Sequence, residues 1–137
     1  PKEIYNSPNS SFVADFIGES SFLQLDRKGN NLYFSSEKII TNKKLNENKE
    51  WAMVVRPERL SIADKSYRKN SSNINFSGEI SELVFQGETA LALVKLMGGN
   101  FLSVRLSTKS SDDFNNLKTG NKIQLYMSRK DIIIIPH

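Results

Sequence analysis

Two hydrophobic periods divide this chain. In residues 1–18, Phe12, Val13, Phe16 and Ile17 fall at the i, i+1, i+4, i+5 spacing of one helical face, with Ala14 and Asp15 on the other side. Ser7 offers an N-cap, Pro8 suits the first helical position, where its missing N–H costs nothing, and Gly18 can take the left-handed conformation that ends a helix. A short, well-punctuated helix is predicted there. After Gly18 the pattern becomes alternating, and apolar segments recur at short spacing between clusters of Gly, Asn, Ser and Lys, as in a small barrel or sandwich.

Residues 20–26 and 31–34 flank Arg27-Lys28-Gly29-Asn30, a turn-rich tetrad that predicts a hairpin. In residues 51–55 Trp51, Met53 and Val55 alternate with Ala52 and Val54, and Ser61 and Ile62 follow a corner at Arg56-Pro57-Glu58. The polar stretch 65–75 predicts a loop or linker between two barrel-like halves, about 19–64 and 74–137. The second half offers five strands, at 76–85, 89–96, 101–106, 122–126 and 132–135. Leu102, Val104 and Leu106 should face one side and Phe101, Ser103 and Arg105 the other, with Ile123 and Leu125 inward. The unbroken β-branched run Ile132-Ile133-Ile134-Ile135 predicts a strand buried on both faces. Gly98-Gly99-Asn100 supports a tight hairpin, and the polar stretch 110–119, with Phe114 and Leu117 three apart, has room for a helical turn before Gly120. Five strands with a loop insertion resemble an OB-type barrel, so the expected class is all-β, with OB-like barrels and one short N-terminal helix.

A chain of 137 residues is sized for one domain, or for two very small barrels sharing a core. No run approaches the roughly 20 apolar residues of a membrane helix, and no charged-then-apolar signal opens the sequence. The absence of cysteine excludes disulfides and thiolate metal sites. The net charge of +4 raises the question of nucleic acid or anionic lipid. Yet the basic residues form only short doublets, such as Lys43-Lys44, Arg68-Lys69 and Arg129-Lys130, with acids beside several of them and no interleaved stacking aromatics. No nucleic-acid partner is expected.

Enzymatic readings fail on inventory. The one histidine, His137, is the last residue, which leaves no internal acid–base dyad or triad. The phosphate-binding pattern G-x-x-x-x-G-K-[ST] is absent: Gly98-Gly99 lacks the lysine and Lys118-Thr119-Gly120 has the order reversed. Asp112-Asp113, and Glu79 with Glu82, read as solvated carboxylates, so no metal is assigned. Gly87, after Phe85-Gln86, suits a hairpin bend whose loop could also line a ligand pocket.

At Arg56-Pro57-Glu58 the proline fixes φ and forces Arg56 toward an extended conformation, so the chain must leave the 51–55 strand at a set angle. A purely structural role would have Arg56 and Glu58 satisfying nearby backbone groups. This corner resembles a hallmark of the TOBE domain, the β-rich accessory domain at the C-terminus of ATPase subunits of bacterial ABC importers. So does the opening segment Ile4-Tyr5, Pro8 and Phe12 to Gly18. Gly78-Glu79-Ile80 with Phe85-Gln86-Gly87 is a weaker match.

The resemblance implies a helix belonging to an absent ATPase domain at 1–18 and a TOBE-type regulatory β-domain at 19–137. It implies no catalysis and no cofactor in this chain, ATP being held by the ATPase domain. The expected function is regulation and dimerisation of an importer ATPase, cytoplasmic and peripheral on the inner membrane face, with a polyamine as a candidate solute. The implied partners are the chain's own ATPase domain, a second copy of the subunit and, indirectly, the membrane subunits. Arg56, Pro57, Glu58, Phe12, Phe16 and Gly87 are the expected interface or regulatory residues, with apolar strand faces around Trp51 and Val84 as contact area. The rival readings are an oligonucleotide-binding barrel and a small-anion sensor of the TOBE type.

Overall fold

The longest element is a single strand that serves two neighbours at once. In the computed structural model, which describes residues 19–35, 37–39, 45, 49–107 and 117–136, strand β7 runs over Asn73–Gln86. The earlier strands are β1 (Ser21–Gln24), β2 (Asp26–Lys28), β3 (Asn31–Phe34), β4 (Glu37–Ile39), β5 (Trp51–Val55) and β6 (Ser61–Ile62). After β7 come β8 (Thr89–Leu96), β9 (Phe101–Ser107), β10 (Lys122–Ser128) and β11 (Ile133–Pro136), with short 3₁₀ turns at Pro57–Arg59 and Arg129–Asp131. The described residues are thus almost wholly β, arranged as a curled, OB-like half-barrel. The predicted helix at residues 1–18, with Phe12 and Phe16, lies outside the described residues, as does most of 110–119.

Strand β7 pairs antiparallel with β10 from Asn73 to Glu79 and with β8 from Gly78 to Gln86, with a bulge between Ile80 and Glu82. A straight strand of this length could not keep one face on a small core, and the bulge bends it and sharpens its twist. Gly78 sits just before that bulge, where a Cβ would lie 2.6 Å from the Lys95 carbonyl oxygen and 2.6 Å from Val94 Cγ1. The strand therefore approaches β8 more closely than any residue with a side chain permits.

Alternation then fills the core as expected. Ile74, Phe76 and Ile80 of β7 meet Ala92, Val94 and Leu96 of β8, Leu102, Val104 and Leu106 of β9, and Ile123, Leu125 and Met127 of β10. The other wall is the sheet β1-β5-β11, where Leu23, Met53 and Ile134 form one inward row. Strand β3 adds Leu32, paired with Ile39 of β4 and fully buried.

The two halves interleave instead of standing apart. Strand β11 returns to pair with β5, and β6 crosses to the edge of the five-stranded sheet β6-β10-β7-β8-β9, so one core joins both halves. The predicted 20–26 strand is broken at Leu25: β1 pairs with β5, and only β2 forms the hairpin with β3. Residues 132–135 do not make a strand buried on both faces: Ile134 points into the core while Ile133, on the opposite face of the sheet, is 38% exposed. Trp51 is no exposed contact residue either. Its alternation with Met53 and Val55 turns it into the core, where it is 5% exposed.

Arg129 fastens the small sheet β2-β3-β4 to the barrel. Its Nη1 donates to the Lys38 carbonyl (2.9 Å), its Nη2 to Glu37 Oε1 (3.0 Å) and its Nε to the Ser71 carbonyl (3.1 Å). The guanidinium fork thus joins three chain segments, a geometry that a lysine ammonium cannot reproduce. Nearby, the Tyr67 ring stacks on Tyr126 at 4.2 Å and its hydroxyl donates to Asn75 Oδ1, which seats the loop before β7 on the sheet.

Two stability predictions follow from these contacts. Gly78→Ala is expected to destabilise the fold by about 1–3 kcal/mol through overpacking, while Gly87→Ala, at a hairpin tip with no neighbour within 4 Å, costs only the left-handed backbone strain, about 1–2 kcal/mol. Arg129→Met should cost about 2 kcal/mol from lost charge-assisted hydrogen bonds, with Arg129→Lys recovering only part of it. Urea unfolding midpoints of the four variants test both statements, and equal loss from Gly78→Ala and an exposed-surface alanine would refute the first.

Candidate functional site

Because β7 bends and the β2-β3-β4 sheet is clasped beside it, an open groove of ≈ 990 Å³ remains between them. Its floor is β7 from Asn75 to Glu79, its sides are β8 with the 97–100 turn and β10, and its far wall is Asp26, Phe34, Ser35 and Glu37. Both halves of the chain therefore contribute to it.

Register decides which polar groups face it. Glu79 lies opposite Lys122 on β10 and Lys95 on β8, so the three side chains form one row across three strands. Beside them the Ser77 hydroxyl donates to Gln124 Oε1 at 2.6 Å, a pair brought together by the same register. Phe34 packs its ring 5.9 Å from that of Phe76 and stays half-buried at the wall.

The three groove carboxylates differ in what they are committed to. Glu37 is taken by Arg129. Asp26 and Glu79 make no ion pair and no side-chain hydrogen bond among the described residues, and both are exposed. The carboxylates stand on β2, β4 and β7, and no group of three or more metal-type ligands forms among the described residues. Among the described groove residues no hydrogen bond pairs a nucleophile with a base; the Ser77 hydroxyl is held by Gln124.

The Arg-Pro-Glu corner lies elsewhere. Arg56 is extended (φ −87°, ψ 132°), and Pro57 is buried and opens the 3₁₀ turn. The turn closes by Arg59 N–H to the Arg56 carbonyl (3.0 Å) and Leu60 N–H to the Pro57 carbonyl (3.4 Å). It is the rigid corner that the proline implied. Among the described residues, however, its charged side chains bond no local backbone group: Glu58 is exposed and makes no ion pair, and the Arg56 Nε is shielded from solvent without a hydrogen-bond partner. Gly87, with φ +59°, forms the tip of the β7–β8 hairpin and does not line the groove. Val84 is half-buried against Leu91 and Leu93.

Sequence reasoning passed over Asp26 as part of a hairpin and Glu79 as a solvated acid. What singles them out is the register that sets Glu79 between two lysines and the clasp that brings β2 near β7. No local pattern carries either.

Comparisons with known proteins agree with this architecture. The family model for the TOBE domain matches residues 53–135. The spermidine/putrescine import ATP-binding protein PotA of Pseudomonas aeruginosa is 24% identical over 90% of this chain and 36% of its own length. Its namesake in Borreliella afzelii is 27% identical over 98% of this chain and 35% of its own, and that of Trichodesmium erythraeum 31% identical over 77% and 31%. The chain thus spans about a third of the length of the curated relatives it matches. Among solved structures, the cytoplasmic molybdate-binding protein ModG, with molybdate bound, superposes with a TM-score of 0.66 at 14% identity, covering 88% of this chain and 97% of that one.

Proposed function

The chain belongs to the TOBE domain family, and from that premise we propose that it is the non-catalytic regulatory domain of an ABC importer's ATP-binding subunit, sensing a polyamine in the groove between β2 and β7. The parent subunit would work in the cytoplasm, peripherally on the inner membrane face, paired with a second copy and coupled through its ATPase domain to the membrane subunits. No helix among the described residues is long and apolar enough to cross a membrane.

One observation carries the ligand assignment: two uncommitted carboxylates, Asp26 and Glu79, face a groove walled by the half-buried Phe34 ring. Spaced ammonium groups on a flexible chain can pair with each carboxylate in turn, and a ring face adds cation–π attraction. A ligand held this way bridges β2 and β7 and so stiffens the junction of the two halves. It regulates only if it binds one conformation of the subunit more tightly than another, and the coupling then runs in both directions.

Lys95 and Lys122, beside Glu79, favour a second reading, in which the groove takes a small oxyanion. The likeness to ModG supports the shared fold and no more. A nucleic-acid reading fares worse, because Tyr67 and Tyr126 stack on each other instead of offering free faces to bases.

Thermal unfolding and titration calorimetry with spermidine, putrescine and molybdate separate these readings. Spermidine should raise the melting temperature, and Asp26→Asn and Glu79→Gln should each weaken its binding by about tenfold, roughly 1.4 kcal/mol. Stabilisation by molybdate that is lost in Lys95→Gln and Lys122→Gln would replace the polyamine with an oxyanion, and no response to any of them would remove the groove as a sensor.

A further inference from the structure

The β8 side of the groove ends in an apolar side chain that belongs to no hydrophobic cluster of the described residues. Alternation along β8 turns Leu96 into the core, where it is 5% exposed, and so sends the next residue, Met97, outward. The turn that follows is closed by its own backbone: Gly99 N–H donates to the Leu96 carbonyl (2.9 Å) and Leu96 N–H to the Asn100 carbonyl (2.7 Å), with Gly99 at φ +92°. Met97 adds nothing to that closure and is 86% exposed, whereas Met53 and Met127 are buried in the core. It nevertheless lines the groove, as the half-buried Phe34 does from the far wall. The groove that Asp26 and Glu79 face thus carries one apolar side chain on its β8 side and one on its far wall.

We propose that Met97 is a specificity residue of the groove, closing with the Phe34 ring on the methylene spacers of a polyamine while Asp26 and Glu79 take its ammonium groups. This role rests on the polyamine reading given above and supplies a selection that the carboxylates cannot. Charge alone accepts any small cation and draws little distinction between a compact ion and a spaced one. Spacer length is read only if the methylenes leave water as the ligand seats, which is worth about fourfold in affinity for each one fully buried. A methionine suits that task, because its unbranched, flexible chain and polarisable sulfur mould to an irregular apolar surface. One apolar side chain on a surface is ordinary. At the rim of a groove that already holds a half-buried ring, a second one completes a contact for the uncharged part of the ligand.

Titration calorimetry of the 137-residue chain with spermidine and with the diamines 1,3-diaminopropane, putrescine and cadaverine reads the spacer. Affinity should rise along the diamine series by up to about fourfold per methylene. Met97→Gln keeps the length of the side chain and makes it polar, and it should flatten that rise and weaken spermidine about fivefold, with Met97→Leu restoring both. The substitutions lie on an exposed turn, and an unchanged circular dichroism spectrum verifies the fold. Hydrogen peroxide gives a second readout on the unmutated chain: the thioether sulfur takes one oxygen, the peroxide O–O bond breaks and water leaves. Peptide mass spectrometry should find the sulfoxide at Met97 well before the buried Met53 or Met127, and saturating spermidine should slow its formation several-fold. Spermidine binding indifferent to Met97→Gln, or oxidation of Met97 unslowed by bound spermidine, would overturn the role of Met97 and leave the sensing groove in place. No binding of spermidine or any diamine by the unmutated chain would overturn the polyamine reading and the role of Met97 with it.

Discussion

The close approach of β7 to β8 at Gly78 is the constraint on which the rest of the structure depends. With the backbone of β8 where a Cβ would be, β7 can pair with β10 on one side and β8 on the other and still bend at the following bulge. Alternation before the bulge keeps Phe76 and Ile80 in the core and turns Glu79, between them in sequence, outward between two lysines. The absence of one side chain at Gly78 thus sets how closely β7 packs on β8 while the register sets the charge pattern of the groove.

Interleaving of the two halves gives the groove its reach. Because β11 completes the sheet begun by β1 and β5, and β6 closes the edge beside β10, neither half can separate without breaking a ladder of the other. Arg129 adds a polar tie between the β2-β3-β4 sheet and the barrel, at a cost in freedom that its three acceptors offset. A ligand spanning Asp26 and Glu79 would act across this tie, loading elements joined both through the core and through a guanidinium.

Alternation made the β-rich class and most inward positions legible, because which face a residue takes is a local property of an extended chain. Met53, Val55, Leu102, Val104, Ile123 and Leu125 all face inward as their spacing required. Pairing partners are not local. The Ile132-Ile133-Ile134-Ile135 run reads as doubly buried, yet only Ile134 enters the core while Ile133 faces the other side of the sheet, since residue composition does not say which faces other elements cover. Residues 65–72 form the expected connection while Asn73 to Asn75 already belong to β7, and a polar connection does not say to which sheet the next strand returns. The groove was the least legible part. Its carboxylates are brought together by a register and an arginine clasp whose partners lie about 90 residues apart, such as Arg129 and Glu37.

Two arginines placed at strand ends beside 3₁₀ turns show how a structural cation differs from one held ready for something else. Arg129 commits each of its three nitrogens to a group inside the domain, two carbonyls and a carboxylate. Arg56 stands at an equally rigid corner, and the chain shields its Nε without supplying an acceptor. An unsatisfied buried donor costs about 1–3 kcal/mol, more beside a charge, so a fold that only needed a corner there would be better served by an uncharged side chain. Glu58 is one residue beyond Pro57, but that proline's fixed φ carries the chain into the turn and leaves the two charges unpaired. The charge at Arg129 thus belongs to the fold, while the corner at Arg56 holds one that the described residues leave without a partner.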